Sequence, residues 1–252
     1  MDERVRAFVA ELIGVFALVF VGAATACAVG LPDKASNVGM IAVALAEGSV
    51  FAVALTITRN VSGGFLNPAI TLALWVFRRI DGTRALSLIG AQVLGAVLAG
   101  ALVRLISGDN VGWLDSARLG TPHLGTTVFG SPPYSLSTLL SGIGVEFVLT
   151  FLLTFAIFGT MIDPRTLRLG GLGGLGAGLT LCALILAGFR VTGAAANPAR
   201  WLGPAVWEYT APTLKSVAFA DHPVYWMGPI LGAMAAAGLY IKVILPEEKQ
   251  EE

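Results

Sequence analysis

Two stretches of this sequence, VSGGFLNPAITLALW at residues 61–75 and VTGAAANPARWLGPA at residues 191–205, share the tripeptide Asn-Pro-Ala. The two copies are Asn67, Pro68, Ala69 and Asn197, Pro198, Ala199. Asn is a favoured helix N-cap and Pro a favoured first helical residue, so each copy predicts the abrupt start of a helix. Both copies lie in strongly apolar sequence, where lipid forbids free backbone ends. Each helix start must therefore face protein or a water-filled cavity.

The composition is that of a membrane protein. The chain has 252 residues, of which 56% are hydrophobic and 13% charged, and its mean hydropathy is +0.79. The formal net charge is zero, which gives no electrostatic reason to expect a nucleic acid as partner. The sequence has no Gly-rich phosphate loop with a Lys partner, no paired-His metal spacing and no Ser/His/Asp arrangement. We therefore expect no metal, no cofactor and no catalytic residues, and the lipid bilayer is the expected solvent.

Six apolar segments are long enough to cross a bilayer, which takes about 20 residues. They lie at about 6–30, 38–59, 85–107, 138–160, 171–189 and 224–245. Two shorter apolar pieces, at about 67–77 and 197–207, follow the Asn-Pro-Ala copies and are too short to span. We interpret them as re-entrant half-helices. Residues 246–252 form a charged tail.

Loop charges predict the orientation, because cytoplasmic loops carry an excess of Lys and Arg. With the N-terminus inside, ten basic residues lie on the inner side: Arg4, Arg6, Arg59, Arg78, Arg79, Arg84, Arg165, Arg168, Lys242 and Lys249. Six lie on the outer side: Lys34, Arg104, Arg118, Arg190, Arg200 and Lys215. We expect a multi-pass protein of the cell membrane with both termini in the cytoplasm.

The two halves of the chain match beyond the shared tripeptide. A Glu lies on the first span of each half, at Glu11 and Glu146, and a Leu-Gly-Ala ends each half, at residues 94–96 and 231–233. Each half has three spans, an odd number, so the second half must enter the membrane from the opposite side. This pattern predicts an inverted repeat of residues 6–107 and 138–245 within one channel domain, residues 1–252, with its working site near the midplane.

Inverted symmetry would bring the two half-helix N-termini together in the middle of the bilayer. Each N-terminus carries roughly half a positive charge and unsatisfied backbone N–H groups. The side chains of Asn67 and Asn197 would add amide donors there. A neutral hydrogen-bond acceptor such as water could pass, whereas a cation would be repelled from both sides.

With these motifs the chain resembles the aquaporin, or major intrinsic protein, family, as a divergent, prokaryotic-looking member. The resemblance covers nearly the whole chain. It rests on both Asn-Pro-Ala copies, with Ser62 and Gly63 before the first, Thr192 and Gly193 before the second, and Arg200, Gly203 and Pro204 after it. It implies an all-α membrane fold with six tilted spans and two half-helices, one pore in each protomer, a homotetramer, and passive passage of water.

The resemblance also suggests a role for the two carboxylates on the spans. A buried carboxylate in lipid is costly unless its hydrogen bonds are satisfied. In the family, the residues at the positions of Glu11 and Glu146 accept hydrogen bonds from the backbone of the re-entrant loops. We favour this supporting role over a proton relay.

The family's outer constriction, the selectivity filter, corresponds here to Glu47, Ile185, Ala194 and Arg200. Glu47 is unusual, because family members commonly have an aromatic residue there. Three interpretations are open. Glu47 can point into the pore and pair with Arg200, or it can face another span or protomer as a structural carboxylate. Alternatively, the register differs by one turn and Phe51 supplies an aromatic wall.

The indications for the transported solute are mixed. Ile185 replaces the His of strict water channels and Ala194 is small, which suggests a wider and more apolar filter. Ala205, Tyr225 and Trp226 instead match water-type members, whereas Trp201 and Phe65 fit neither pattern. Water is the preferred solute, and a channel mainly for glycerol, urea or another small uncharged solute is the alternative. An ion-coupled secondary transporter ranks below both, because it would need coupling-ion ligands at the midplane.

Three further charged or titratable residues fall in predicted outer loops. These are His123, Asp221 and His222. Exposed loop residues are the simplest interpretation of all three.

Overall fold

Helices account for nearly all of the architecture in the computed structural model of this chain. The structure describes residues 2–29, 37–108, 110, 112–168, 173–211 and 213–245. Its α-helices are α1 Glu3–Ala28, α2 Asn37–Ser62, α3 Pro68–Val76, α4 Gly82–Ser107, α5 Thr126–Phe129, α6 Leu136–Ile157, α7 Pro164–Arg168, α8 Gly174–Thr192, α9 Pro198–Glu208 and α10 His222–Leu239. Short π-helical turns extend α6 over Phe158–Ile162 and α10 over Tyr240–Ile244.

The expected all-α membrane fold is confirmed. Among the described residues, six helices are long and apolar enough to cross a membrane: α1, α2, α4, α6 with its π extension, α8, and α10 with its π extension. The short helices α3 and α9 begin at the proline of each Asn-Pro-Ala copy, as predicted. The predicted tail at 246–252 lies outside the described residues.

The predicted boundaries miss the true helix ends by a few residues because caps, not hydropathy, fix them. Helix α4 begins at Gly82, where the Asp81 side chain accepts a hydrogen bond from Arg84 N at 2.9 Å. Helix α6 begins after Ser135, which accepts from Thr138 N at 3.2 Å. Polar capping side chains satisfy the first N–H groups of a helix regardless of how apolar the following turn is.

The helix contacts repeat in pairs, as an inverted repeat requires. Helix α1 packs on α2 and α4, and in the second half α6 packs on α8 and α10. The half-helices exchange partners between the halves, since α9 packs on α4 and α3 packs on α10. Helices α2 and α8, which correspond to each other, cross directly. The two halves are therefore interlocked through the half-helices and share one core.

Glycines set the closest helix crossings. A Cβ added at Gly48 of α2 would be 2.7 Å from the carbonyl oxygen of Gly178 on α8. Two further crossings correspond to each other in the two halves. Gly95 of α4 lies against the backbone of Leu12 on α1, and Gly232 of α10 lies against that of Phe147 on α6. Since small residues let backbones approach in lipid, these positions explain how six spans close around the half-helices.

The outer surface of the bundle is apolar. Large side chains on four different spans are more than 40% exposed, including Ile13, Leu45, Leu98 and Leu152. The charged or amide side chains of Glu11, Gln92 and Glu146, which lie within the spans, are instead fully buried. This inside-out distribution suits a protein whose surroundings are hydrocarbon.

Candidate functional site

The two Asn side chains join the half-helices to each other. Asn67 caps α3 by accepting from Ala69 N at 2.9 Å, and its Nδ2 donates to Ala196 O, in the opposite loop, at 2.8 Å. Asn197 caps α9 by accepting from Ala199 N at 3.0 Å, and its Nδ2 donates to Leu66 O at 2.9 Å. The two helix N-termini therefore meet, and each amide keeps a second N–H beyond these bonds.

The loops leading to the Asn residues hold the backbone in an unfavourable conformation. Leu66 has a φ of 50° and Ala196 a φ of 48°, in the left-handed region that costs a non-glycine residue roughly 1–2 kcal/mol. Each strained residue has its N–H bonded to a buried carboxylate. Leu66 N donates to Glu11 Oε2 at 2.7 Å, and Ala196 N donates to Glu146 Oε2 at 2.7 Å.

Glu11 accepts further hydrogen bonds from the same loop. Ser62 Oγ donates to Oε1 at 2.6 Å and Phe65 N at 3.0 Å. Gln92 Nε2, on α4, donates to Oε2 at 2.7 Å. With Leu66 N, the fully buried carboxylate of Glu11 has four donors.

Glu146 repeats the pattern in the second half. Thr192 Oγ1 donates to Oε1 at 2.6 Å and Ala195 N at 3.0 Å. These distances equal those to Ser62 and Phe65 in the first half. The donors to Glu146 are thus the last residue of α8, Thr192, and two residues of the loop before α9, Ala195 and Ala196.

Glu47 and Arg200 form a buried ion pair between α2 and α9. Arg200 Nε donates to Glu47 Oε2 at 2.5 Å and Nη2 donates to Oε1 at 2.5 Å, a bidentate arrangement. Glu47 is 1% exposed and Arg200 6%. Arg200 Nη1 also donates to Ala194 O at 3.3 Å. Of the three interpretations of Glu47, the first includes this ion pair, and the pore-facing position of Glu47 stays a prediction.

The other two residues of the predicted selectivity filter, Ile185 and Ala194, are apolar. Ile185 is fully buried in α8, and Gly188, one turn further on, lies against the methyl group of Ala194. Phe51, the aromatic alternative to Glu47, is 1% exposed and packs in the main apolar core.

A cavity of about 140 Å³ adjoins the ion pair, next to a predicted outer loop. Its walls include both Glu47 and Arg200, together with Ala26 of α1 and Val43 of α2. Most of its remaining wall is formed by residues 117–127, which follow the π-helical turn Gly112–Ser116. We call residues 117–127 the outer segment, after their predicted orientation. The ion pair is thus part of the wall of a cavity large enough for water.

A charged network holds this outer segment. His123 Nε2 lies 2.8 Å from Glu208 Oε2, at the end of α9, and His123 Nδ1 lies 3.1 Å from Asp221 Oδ1. Arg118 Nε donates to Glu208 Oε1 at 2.6 Å, and Asp221 Oδ2 accepts from Leu124 N at 2.8 Å. The expectation of exposed loop residues was wrong for two of the three: the His123 side chain is 8% exposed and Asp221 1%. His222 is exposed.

The surroundings of His123 favour its charged form. Burial by itself disfavours the imidazolium, but the adjacent carboxylates of Glu208 and Asp221 outweigh burial and raise the pKa of His123. Burial likewise opposes ionisation of Asp221, yet His123 holds the pKa of that carboxyl below its ordinary value. Because each ring nitrogen faces a carboxylate, the protonated ring alone can donate to both.

Sequence reasoning missed this network for a definable reason. Its members come from separate segments of the chain, 85 residues apart for His123 and Glu208 and 98 for His123 and Asp221. No periodicity links such positions. Trp201, which departed from the expected pattern, is fully buried and stacks on Tyr225 with centroids 5.4 Å apart, so it packs the base of the outer segment.

Comparisons with known proteins agree with this fold. The family model described as Major intrinsic protein matches residues 2–240. The chain is 39% identical to "Aquaporin TIP4-4" of Zea mays, over 94% of this chain and 85% of that protein. It is 34% identical to "Probable aquaporin TIP4-1" of Oryza sativa subsp. japonica, over 98% and 90%. The X-ray structure of the aquaglyceroporin from Plasmodium falciparum shares its fold with a TM-score of 0.76, over 96% of this chain and 97% of that one, at 21% identity.

The carboxylate contacts give a first prediction. Glu11→Gln places an amide N–H₂ where one carboxylate oxygen now accepts, so at least one buried loop donor loses its acceptor. We expect the variant to lose about 2–4 kcal/mol of stability, measured as a lowered thermal unfolding midpoint in detergent. Glu3→Gln, on the exposed first turn of the same helix, is the matched control. Equal midpoints for Glu11→Gln and wild type would contradict the supporting role.

The His123 network predicts a pH-dependent stability. The pKa of His123 is raised on folding, so its contribution is fully present below the ordinary His value of about 6.5 and is lost as pH rises through the folded value. Asp221 has the opposite sign: its contribution is lost as pH falls through its lowered pKa. The stability difference between wild type and His123→Gln should therefore be larger at about pH 6 than at about pH 9.

Unfolding midpoints at one scan rate across this pH range measure the difference. The exposed His222→Gln variant supplies the baseline for removing an imidazole. A wild-type advantage over His123→Gln that stays constant from pH 6 to pH 9 would show that the network does not depend on the charged ring.

Proposed function

From the premise that this chain belongs to the major intrinsic protein family and is a passive channel for water, we propose that its selectivity filter consists of Glu47, Ile185, Ala194 and Arg200. The observation that carries the proposal is the bidentate Glu47–Arg200 pair in the wall of the cavity. Arg200 is three residues beyond Asn197, so the pair lies about 5 Å along α9 from the junction of the half-helices. We further propose that solutes pass this pair and then Asn67 and Asn197.

The chain is a channel and not an enzyme, so the site acts through charge and hydrogen bonding. The two half-helix N-termini oppose cations at the midplane. An unpaired Arg would add a full positive charge at the filter, but the ion pair with Glu47 is close to neutral. We infer that cation exclusion rests mainly on the half-helices, and that the filter selects by size and hydrogen bonding.

The hydrogen bonds of Arg200 determine what the filter offers a solute. Glu47 engages Nε and Nη2, and Ala194 O engages Nη1. Fewer guanidinium N–H groups are then left for a solute than an unpaired Arg would offer. A solute that needs few donors, such as water, fits this arrangement.

Small uncharged solutes are the second candidates. The aliphatic Ile185 and small Ala194 would leave more space than a His at the first position, which favours glycerol or urea as additional cargo. The Asn-Pro-Ala residues and the loop-supporting carboxylates Glu11 and Glu146 would serve either solute. The shared neutrality of water, glycerol and urea matches a filter without net charge.

We also propose that the protein is a homotetramer in the cell membrane with both termini cytoplasmic. The six spans put the two ends of the chain on one side, and the excess of Lys and Arg favours the inner one. A detergent-solubilised particle with the mass of four chains would support the assembly, and a single chain would contradict it. Proteolytic protection of tags at both ends in intact cells tests the orientation.

The filter proposal predicts a change of selectivity on replacing Glu47. Glu47→Phe removes the carboxylate, frees the charge of Arg200 and fills the filter with a ring. We expect urea and glycerol permeability to fall relative to water by about tenfold, with folding intact. Glu47→Gln keeps the side-chain volume, so it should change this ratio less. Stopped-flow light scattering of proteoliposomes with water, glycerol and urea measures the three rates.

Leu45→Phe is the control for adding an aromatic ring to α2, because Leu45 is 56% exposed on the outer surface of the bundle. It should behave as wild type. If Glu47→Phe leaves permeability to water and to both solutes unchanged, Glu47 does not line the pore and the filter proposal fails.

A further inference from the structure

Gly22 of α1 lies directly behind the Glu47 side chain. A Cβ added at Gly22 would be 2.6 Å from Glu47 Cδ and 2.7 Å from Cγ, and it would also overlap Oε1. Carbon atoms in contact are normally about 3.5–4.0 Å apart. Any residue larger than glycine at position 22 therefore conflicts with the present position of Glu47.

The crowded oxygen is one of the two that hold Arg200. Glu47 Oε1 accepts from Arg200 Nη2, while Oε2 accepts from Nε. A bidentate pair needs both oxygens in the plane of the guanidinium fork. If Oε1 moved away from α1, at least one of these two bonds would lengthen or turn.

The Glu47 side chain lies next to open space, because it lines the cavity. Ala26, one turn beyond Gly22 on α1, and Val43, one turn before Glu47 on α2, are both buried and line the same cavity. The outer segment packs against α1 beside Gly22, since a Cβ at Gly120 would be 2.5 Å from Cα of Ala23. A carboxylate pushed off α1 would move toward the cavity that it already lines.

We propose that Gly22 is a positioning residue for the filter. Because Gly22 has no side chain, the Glu47 side chain can pack directly against α1 while both of its oxygens accept hydrogen bonds from Arg200. It thereby sets the width and charge of the constriction without lining it. This inference rests on the filter role of Glu47 and Arg200 proposed above.

A double-mutant cycle tests the inference. The variants are Gly22→Ala, Glu47→Ala and the combination of both, with water and urea permeability measured on proteoliposomes of equal protein content. We expect Gly22→Ala alone to change the urea-to-water permeability ratio by about threefold or more. In the Glu47→Ala background the same substitution has nothing to displace, so it should change the ratio by less than about 1.5-fold.

Gly90→Ala controls for adding a methyl group to a helix, since a Cβ there meets nothing within 4 Å. It should match wild type. Thermal unfolding and particle size report folding for every variant. If Gly22→Ala fails to fold but folds when combined with Glu47→Ala, the conflict is with Glu47 and the inference stands.

Each remaining result overturns part of the account. A wild-type ratio for Gly22→Ala, or an equal effect of Gly22→Ala in both backgrounds, rejects the positioning role while leaving the filter proposal intact. Failure to fold in both backgrounds also rejects it, because Gly22 would then serve packing alone. A wild-type ratio for Glu47→Ala rejects the filter role and the inference together.

Discussion

The hydrogen bonds from the re-entrant loops to the two buried carboxylates are the interaction on which the rest of the structure depends. Two half-helices begin inside the bundle, and the residues before their caps, Leu66 and Ala196, have left-handed backbone. Neither a free N–H nor a strained loop is tolerated at membrane depth without partners. Glu11 and Glu146 supply those partners at matching distances. The loops in turn carry the Asn residues that join the halves, so the junction of the half-helices is built from two copies of one arrangement.

The proposed filter lies where the two halves of the chain differ. Arg200 is the third residue after Asn197, whereas the third residue after Asn67 is the apolar, fully buried Ile70. The Arg200 guanidinium donates to Glu47 on α2, an ion pair that the apolar Ile70 cannot make in the first half. Beyond it, the network of Arg118, His123, Glu208 and Asp221 fixes the outer segment over the same cavity. In the function that we propose, the junction of the half-helices suits any neutral molecule, and the Glu47–Arg200 filter selects among them.

Much of the fold could be predicted from the sequence, because apolar periodicity, the caps at Asn67 and Asn197 and the odd number of spans per half are local or counting properties. The pairing of Glu47 with Arg200 was one of three interpretations, since sequence spacing fixes a residue's position on a helix but not its rotamer. The His123 network could not be predicted, because its side chains come together from distant parts of the chain. The close contact of Gly22 with Glu47 could not be predicted either, because it depends on how closely α1 and α2 pack. Burial of polar residues in loops has no periodic signal.

The central claim is that two opposed half-helices and a neutral filter form an open passage for water that needs no other driving force than its gradient. The most direct measurement is the osmotic shrinkage rate of proteoliposomes containing the purified protein, in stopped flow, against empty vesicles of the same lipid and size. We predict a faster rate with protein, unchanged when sodium or proton gradients are abolished. A rate equal to that of empty vesicles, or one that requires an ion gradient, would contradict the account.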